Sequence, residues 1–124
     1  MRKLICLLAL AVVIAVGAGC AKQPTPEEMA TWDYGPYPEN YEQIVKEAMI
    51  TRLFDPYSAQ YHFQGTPIKR WMARSLGRDT VYGWGGIVVI NAKNRMGGYV
   101  GATPFAYIIR NDQLLLIEEN FRTN

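Results

Sequence analysis

The apolar side chains of this chain change their spacing once, at Asp55-Pro56, and that change sets the fold class. Before it, Tyr41, Ile44, Val45, Ala48, Met49 and Leu53 recur at helical spacing and share one face. Asn40 stands where an N-cap would and Gln43 at the reciprocal capping-box position, so the pattern predicts a helix starting near residue 40. Pro56 ends it, because proline disfavours a helical conformation in the residue before it. After it, in Ala59-Gln60-Tyr61-His62-Phe63-Gln64, apolar residues alternate with polar ones, the mark of a strand with one buried face. Further strands are expected over 68–74, 81–91, 99–110 and 113–119, with Asn111-Asp112 as a two-residue turn before the last. Gly83, Gly85 and Gly86 mark a bulge or a close backbone crossing. One helix followed by four or five antiparallel strands leaves the helix as the only cover for the sheet. The expectation is an α+β roll, the helix laid across a curved antiparallel meander, in outline similar to cystatin-like folds; that likeness is architectural and implies no activity.

The first twenty residues read differently. Arg2 and Lys3 precede an apolar run from Leu4 to Val16, then Gly17-Ala18-Gly19-Cys20, the order of a secretory signal. The run is too short to span a hydrocarbon core of roughly 30 Å, which takes about 20 apolar residues. The small residues before Cys20 resemble the lipobox of bacterial lipoproteins, with Gly17 standing where that pattern usually has Leu. The resemblance implies a signal peptide over 1–19, lipid on Cys20 and a membrane partner held through that lipid. With Ala21 rather than Asp next, it also implies an outer-membrane position facing the periplasm. Residues 20–38 carry Pro24, Pro26, Pro36 and Pro38 and read as a proline-rich tether. Its aromatic end, Trp32 to Tyr37, has ring area to hide and is expected to dock on the globular domain, residues 39–124.

Processing changes the meaning of the charge. Of 13 basic residues, Arg2 and Lys3 leave with the signal, so 11 remain against 11 acidic ones. A neutral mature chain gives no argument for nucleic-acid binding. Cys6 leaves too and Cys20 carries lipid, so the mature domain has no disulfide and no cysteine metal site and must hold itself together by packing. The charge is unevenly placed: 6 acidic residues and 1 Lys lie between Glu27 and Glu47, then 7 basic and 2 acidic between Arg52 and Arg95. Lys69, Arg70, Arg74 and Arg78 either join Lys93 and Arg95 in a basic face or solvate an exposed sheet.

The most informative segment is Asn91-Ala92-Lys93-Asn94-Arg95-Met96-Gly97-Gly98-Tyr99-Val100-Gly101-Ala102-Thr103-Pro104-Phe105. It resembles a string found in small uncharacterised bacterial lipoproteins and secreted proteins: a strand ending in Val-Asn-Ala-Lys-Asn, an aromatic, Gly-Gly-Tyr, Gly and Pro-Phe. The likeness extends loosely to Asp55-Pro56-Tyr57-Ser58-Ala59; Met96 replaces the aromatic, and no cysteine precedes the strand. The family has no established activity to carry over. From the residues themselves, Asn94, Gly97 and Gly98 suit positive φ in a strand connection. Alternatively, exposed amides of Gly97, Gly98 and Gly101, with Asn91, Lys93, Asn94, Arg95 and Tyr99, bind an anion, a glycan or a partner's carboxylates. The spacing is not that of a phosphate loop.

Nothing announces catalysis. His62 is the sole histidine, Ser58 and Ser75 lack a nucleophile-elbow context, and Asp55, Glu118 and Glu119 have structural explanations. Trp71 and Trp84 either stack a sugar or fill the core. The reading is a non-catalytic envelope lipoprotein, without cofactor or metal, whose domain binds an envelope protein or glycan. An inhibitor or immunity-type protein blocking a hydrolase, and a weak hydrolase, stand as alternatives.

Overall fold

A computed structural model describes residues 23–74 and 79–119. The order is α1 (Pro26–Ala30), α2 (Tyr41–Ile50), β1 (Asp55–Ala73), β2 (Thr80–Lys93), β3 (Thr103–Arg110) and β4 (Gln113–Glu119). The strands form one antiparallel sheet in the order β1-β2-β3-β4, a meander mostly β with two short helices.

α2 buries Val45 and Met49 against Val88, Ile90, Tyr107, Ile109 and Ile117 of the sheet, with Tyr41, Ile44 and Leu53 packed around them. Each fully buried side chain of this size contributes about 1.5–3 kcal/mol. The expected capping box at Asn40 does not form: Asn40 makes no side-chain cap bond, and Gln43 donates to Glu47 one turn along at 2.7 Å. Arg52, just past the helix, donates to the Ile117 carbonyl at 3.2 Å and ties α2 to β4.

The proline-rich segment is more ordered in kind than its composition predicts. Thr25 and Glu28 make a reciprocal capping box, and Pro26 occupies the first turn, where a missing N–H costs nothing, so Pro26–Ala30 is helical. The aromatic end docks as expected. Trp32 stacks on Tyr82 with ring centroids 4.4 Å apart, Tyr34 meets Tyr82 edge-on, and Tyr37 meets Trp84 edge-on. The Trp84 indole N–H donates to the Gly35 carbonyl at 3.1 Å. α2 and this aromatic arm therefore cover the same face of β2, one at each end.

Two strands expected over 59–64 and 68–74 are one strand, β1, with a register irregularity between Gln64 and Ile68. Gly65 and Pro67 look like a break, yet Gly65 at φ 69° turns the bulge and Pro67 is buried inside it. Before the bulge Tyr61 and Phe63 face α2 while Gln60 and His62 face away; after it Lys69 and Trp71 lie opposite Trp84 and Tyr82. The strand expected from residue 99 begins at Thr103 instead. Asn111 and Asp112, at φ 52° and 58°, form the expected tight turn between β3 and β4.

The second sheet face carries its own small core of Val81, Ile108 and Leu116, with Met72 and Leu115 against it. Gly83 and Gly85 make the room. A Cβ on Gly85 would lie 2.8 Å from the Tyr107 carbonyl oxygen and 3.3 Å from Ile108 Cγ1, and one on Gly83 would strike the Ile109 carbonyl. On the opposite face Gly86 admits the Tyr107 ring. Gly83 and Gly85 thus mark a close approach of the β3 backbone and Gly86 one of the Tyr107 ring, while the register irregularities lie in the β1–β2 and β3–β4 pairings.

Two outcomes follow. Gly83→Ala should lower stability by about 1–3 kcal/mol, whereas Gly98→Ala, with nothing within 4 Å of the added carbon, should be near neutral; urea unfolding of both variants measures the difference. Burial raises the pKa of the Tyr107 hydroxyl above its ordinary 10.0. A raised acid is neutral in the folded state, so its contribution is complete below pH 10.0 and is lost above it, where the unfolded chain ionises first. Tyr107→Phe should flatten the alkaline fall in stability without removing it, because Tyr61 and Tyr41 are also raised by burial.

Candidate functional site

The sheet's far end, away from the aromatic arm, is built from two irregularities held together. The first lies on β1. Asp55 pairs with Lys93 and Gln60 with Asn91, so five steps on β1 oppose two on β2 and three extra residues bulge outward. Asp55 and Ser58 hold that bulge: the Ser58 N–H donates to Asp55 Oδ1 at 3.3 Å, and its hydroxyl donates to the Asp55 carbonyl at 2.7 Å. The second is the connection 94–102 between β2 and β3. Ser58 joins the two. Its Oγ accepts from the Lys93 N–H at 2.9 Å, and its carbonyl accepts from the Tyr99 hydroxyl at 3.1 Å. Ser58 was legible only as a serine without a catalytic setting, and its role is to clamp.

Asn94 and Asn91 shape the connection. Asn94 Oδ1 accepts from the N–H groups of Met96 at 2.9 Å and Gly98 at 3.3 Å; the Asn94 carbonyl accepts from Gly97 at 3.0 Å. Asn91 Oδ1 accepts from Gly101 at 3.0 Å, and the Ala92 carbonyl from Val100 at 3.2 Å. Gly97 at φ 79° and Gly101 at φ 102° supply the left-handed turns. The amides that an anion would use are thus already donating to the loop's own oxygens. What faces outward is side chains.

Lys93 Nζ lies 5.5 Å from the Tyr99 ring and the Arg95 guanidinium 5.6 Å from the Phe54 ring. Among the described residues neither has a carboxylate within 4.0 Å. Around them stand exposed large apolar side chains: Tyr57 is 95% exposed, Met96 94%, Phe54 and Val100 63% each, Ile50 51%. Large contiguous apolar patches are rarely exposed on monomers, which makes this end the candidate interaction surface. Beside it runs a groove of about 290 Å³ between α2 and β1, with Ile50 and Tyr57 on its rim and Pro56 and Tyr61 inside.

The candidate residues Asn91, Lys93, Asn94, Arg95, Gly97, Gly98, Tyr99 and Gly101 come together at this end, in two roles. The asparagines and glycines build it; Lys93, Arg95 and Tyr99 are displayed. Among the described residues, Lys69 and Arg70 of the wider basic face do not join Lys93 and Arg95. Lys69 lies against the Tyr34 and Trp84 rings at 5.4 and 5.7 Å, at the aromatic-arm end, and its neighbour Arg70 projects from the other face. His62 is exposed opposite Val89. Trp84 packs against the aromatic arm. Cys20, Ser75 and Arg78 lie outside the described residues. Among the described residues, no three His, Cys, Asp or Glu side chains gather closely enough to share a metal ion. Sequence reasoning missed Ile50, Phe54 and Tyr57, which the loose likeness around Asp55-Pro56-Tyr57-Ser58-Ala59 touched without explaining.

Compared with known proteins, the chain matches no family model, no curated protein and no solved structure.

Asn94→Ala should remove the acceptor for two amides at once, at a cost of about 1–3 kcal/mol, felt locally. Hydrogen exchange should quicken at Met96 and Gly98 and stay unchanged in the Val88 to Ile90 core; equal quickening in both would show that the loop is not held by Asn94.

Proposed function

We propose that the protein is a non-catalytic lipoprotein of the bacterial envelope, anchored through Cys20, whose domain binds another envelope component with its far end. The observation that carries the reading is the concentration of exposed apolar side chains on the 94–102 connection and the adjoining start of β1, both fixed by their own hydrogen bonds. Rigid display of Tyr57, Met96, Phe54 and Val100 lowers the ordering cost of association. A surface that a stable monomer has no reason to expose, kept in one shape, is suited to docking.

The anchor rests on Arg2 and Lys3, the apolar run and the small residues before Cys20. The resemblance of the Asn-Ala-Lys-Asn and Gly-Gly-Tyr string to one found in small bacterial lipoproteins points to the same address. Ala21 favours the outer membrane, facing the periplasm. The described helix on an antiparallel meander accords with a cystatin-like outline, which carries no activity with it.

A second reading shares the surface. A stiff, protruding connection is also what an inhibitor or immunity-type protein presents to a hydrolase, and the pre-bonded loop favours it. It differs in requiring that the purified domain silence its target at equal concentration.

The mature protein extracted from membranes should have the mass of a chain beginning at an acylated Cys20, and Cys20→Ser should abolish both the lipid mass and the membrane fraction. Affinity purification from native membranes should recover a component with the wild type and lose it with Met96→Asp. Recovery that is identical for the two would sink the binding surface while leaving the anchor untouched.

A further inference from the structure

We infer that the component docking on the far end is a protein, and that its contact surface is apolar and flanked by carboxylates. The inference deepens the binding reading above and rests on it.

Chemistry narrows the partner first. Met96, Val100 and Ile50 offer aliphatic and thioether area, which a hydrated glycan cannot use, whereas aromatic residues, Met and Arg are the types enriched where proteins meet. The rim supplies the sign of the charge. Lys93 and Arg95 rest on ring faces with no carboxylate within 4.0 Å among the described residues, while acids on α2 and at the start of β1 are engaged elsewhere. Glu42 pairs with Lys46 at 3.8 Å, Glu47 accepts from Gln43, and Asp55 accepts from Ser58. The unmet demand at this surface is for negative charge around an apolar centre. The adjoining groove between α2 and β1 is of a size to take one large side chain from the partner.

Position argues against the anchoring bilayer as the partner. The aromatic arm that leads back to Cys20 stacks on Tyr82, whereas the docking surface begins at Lys93, at the other end of β2. Eleven residues of strand at about 3.3 Å each separate them by up to about 36 Å. From Cys20 to the helix cap at Thr25 the chain reaches at most about 18 Å. That reach is about half the strand length between the arm and the docking surface, so the surface lies at the end opposite the anchor proposed above.

The experiment is site-specific photocrosslinking of the full-length lipoprotein in its own cells, with benzoylphenylalanine at Tyr57 or Met96 and, as a control, at exposed Gln113 beside the β3–β4 turn. The expected result is one protein adduct common to Tyr57 and Met96, absent at Gln113, whose crosslinked peptide carries Asp or Glu next to apolar residues. The Lys93→Glu, Arg95→Glu double variant should lower adduct yield at least about tenfold, since it reverses both rim charges and sets like charge against the partner's carboxylates. A thermal melt matching the wild type shows that the variant folds. Arg95→Lys should retain most of the yield if charge is what is read. An adduct to lipid, to glycan or between two copies of this chain, or to a basic peptide, overturns the inference but leaves a binding surface in place. No adduct, or the same adducts at all three positions, overturns both.

Discussion

Strand β2 has to be buried on both faces, and most of the molecule answers that demand. Its even-numbered side chains, from Tyr82 through Val88 to Ile90, face the aromatic arm and α2; Val81 on the other side joins Ile108 and Leu116. A four-stranded sheet held by one ten-residue helix cannot cover that strand along its whole length. The aromatic arm supplies the rest by laying Trp32, Tyr34 and Tyr37 over Tyr82 and Trp84. Glycines at 83 and 85 let the β3 backbone and Ile108 approach from one side, and Gly86 admits the Tyr107 ring from the other. With no cysteine after Cys20 to staple it, the domain depends on this packing, and the arm is therefore part of the fold.

How much of this the sequence disclosed depends on whether the determining interaction is local. α2 and the Asn111-Asp112 turn were legible because a repeating period and a left-handed pair are properties of adjacent residues. The helix Pro26–Ala30 was hidden, since four prolines suggest an extended tether and the capping pair Thr25 and Glu28 outweighs them over one turn only. β1 was divided because Gly65 and Pro67 are breakers by local rules, yet pairing with β2 continues on either side of them. At the candidate surface the loop was legible from Asn94 and its glycines. Its apolar complement was not, because Phe54 and Tyr57 look like core residues until β1 is seen to bulge outward there.

The asparagines show why a motif can be located correctly and its chemistry still be assigned elsewhere. A glycine-rich connection with two cations suggests amides open to an anion. Here Asn94 Oδ1 and Asn91 Oδ1 occupy the place that an anion's oxygens would take. An amide side chain serves this purpose at every pH, since it neither titrates nor exchanges with solvent ions. The loop gains a fixed shape independent of ligand, and the positive charge is left for the outward side chains.

That division of labour bears on how the surface tolerates exposure. An apolar patch on a flexible loop would collapse onto the domain or invite indiscriminate association. Ser58 prevents the first by tying the bulge to both Lys93 and Tyr99, so Tyr57 on one side and Met96 on the other stay where the backbone puts them. Lys93 and Arg95 limit the second. Laid across Tyr99 and Phe54, they place like charge at the edge of each copy's patch, so two copies meeting face to face would bring four cations together. On the binding reading, the same cations that would draw in an acidic partner oppose face-to-face pairing of two copies, so a single arrangement of charge over rings would serve both.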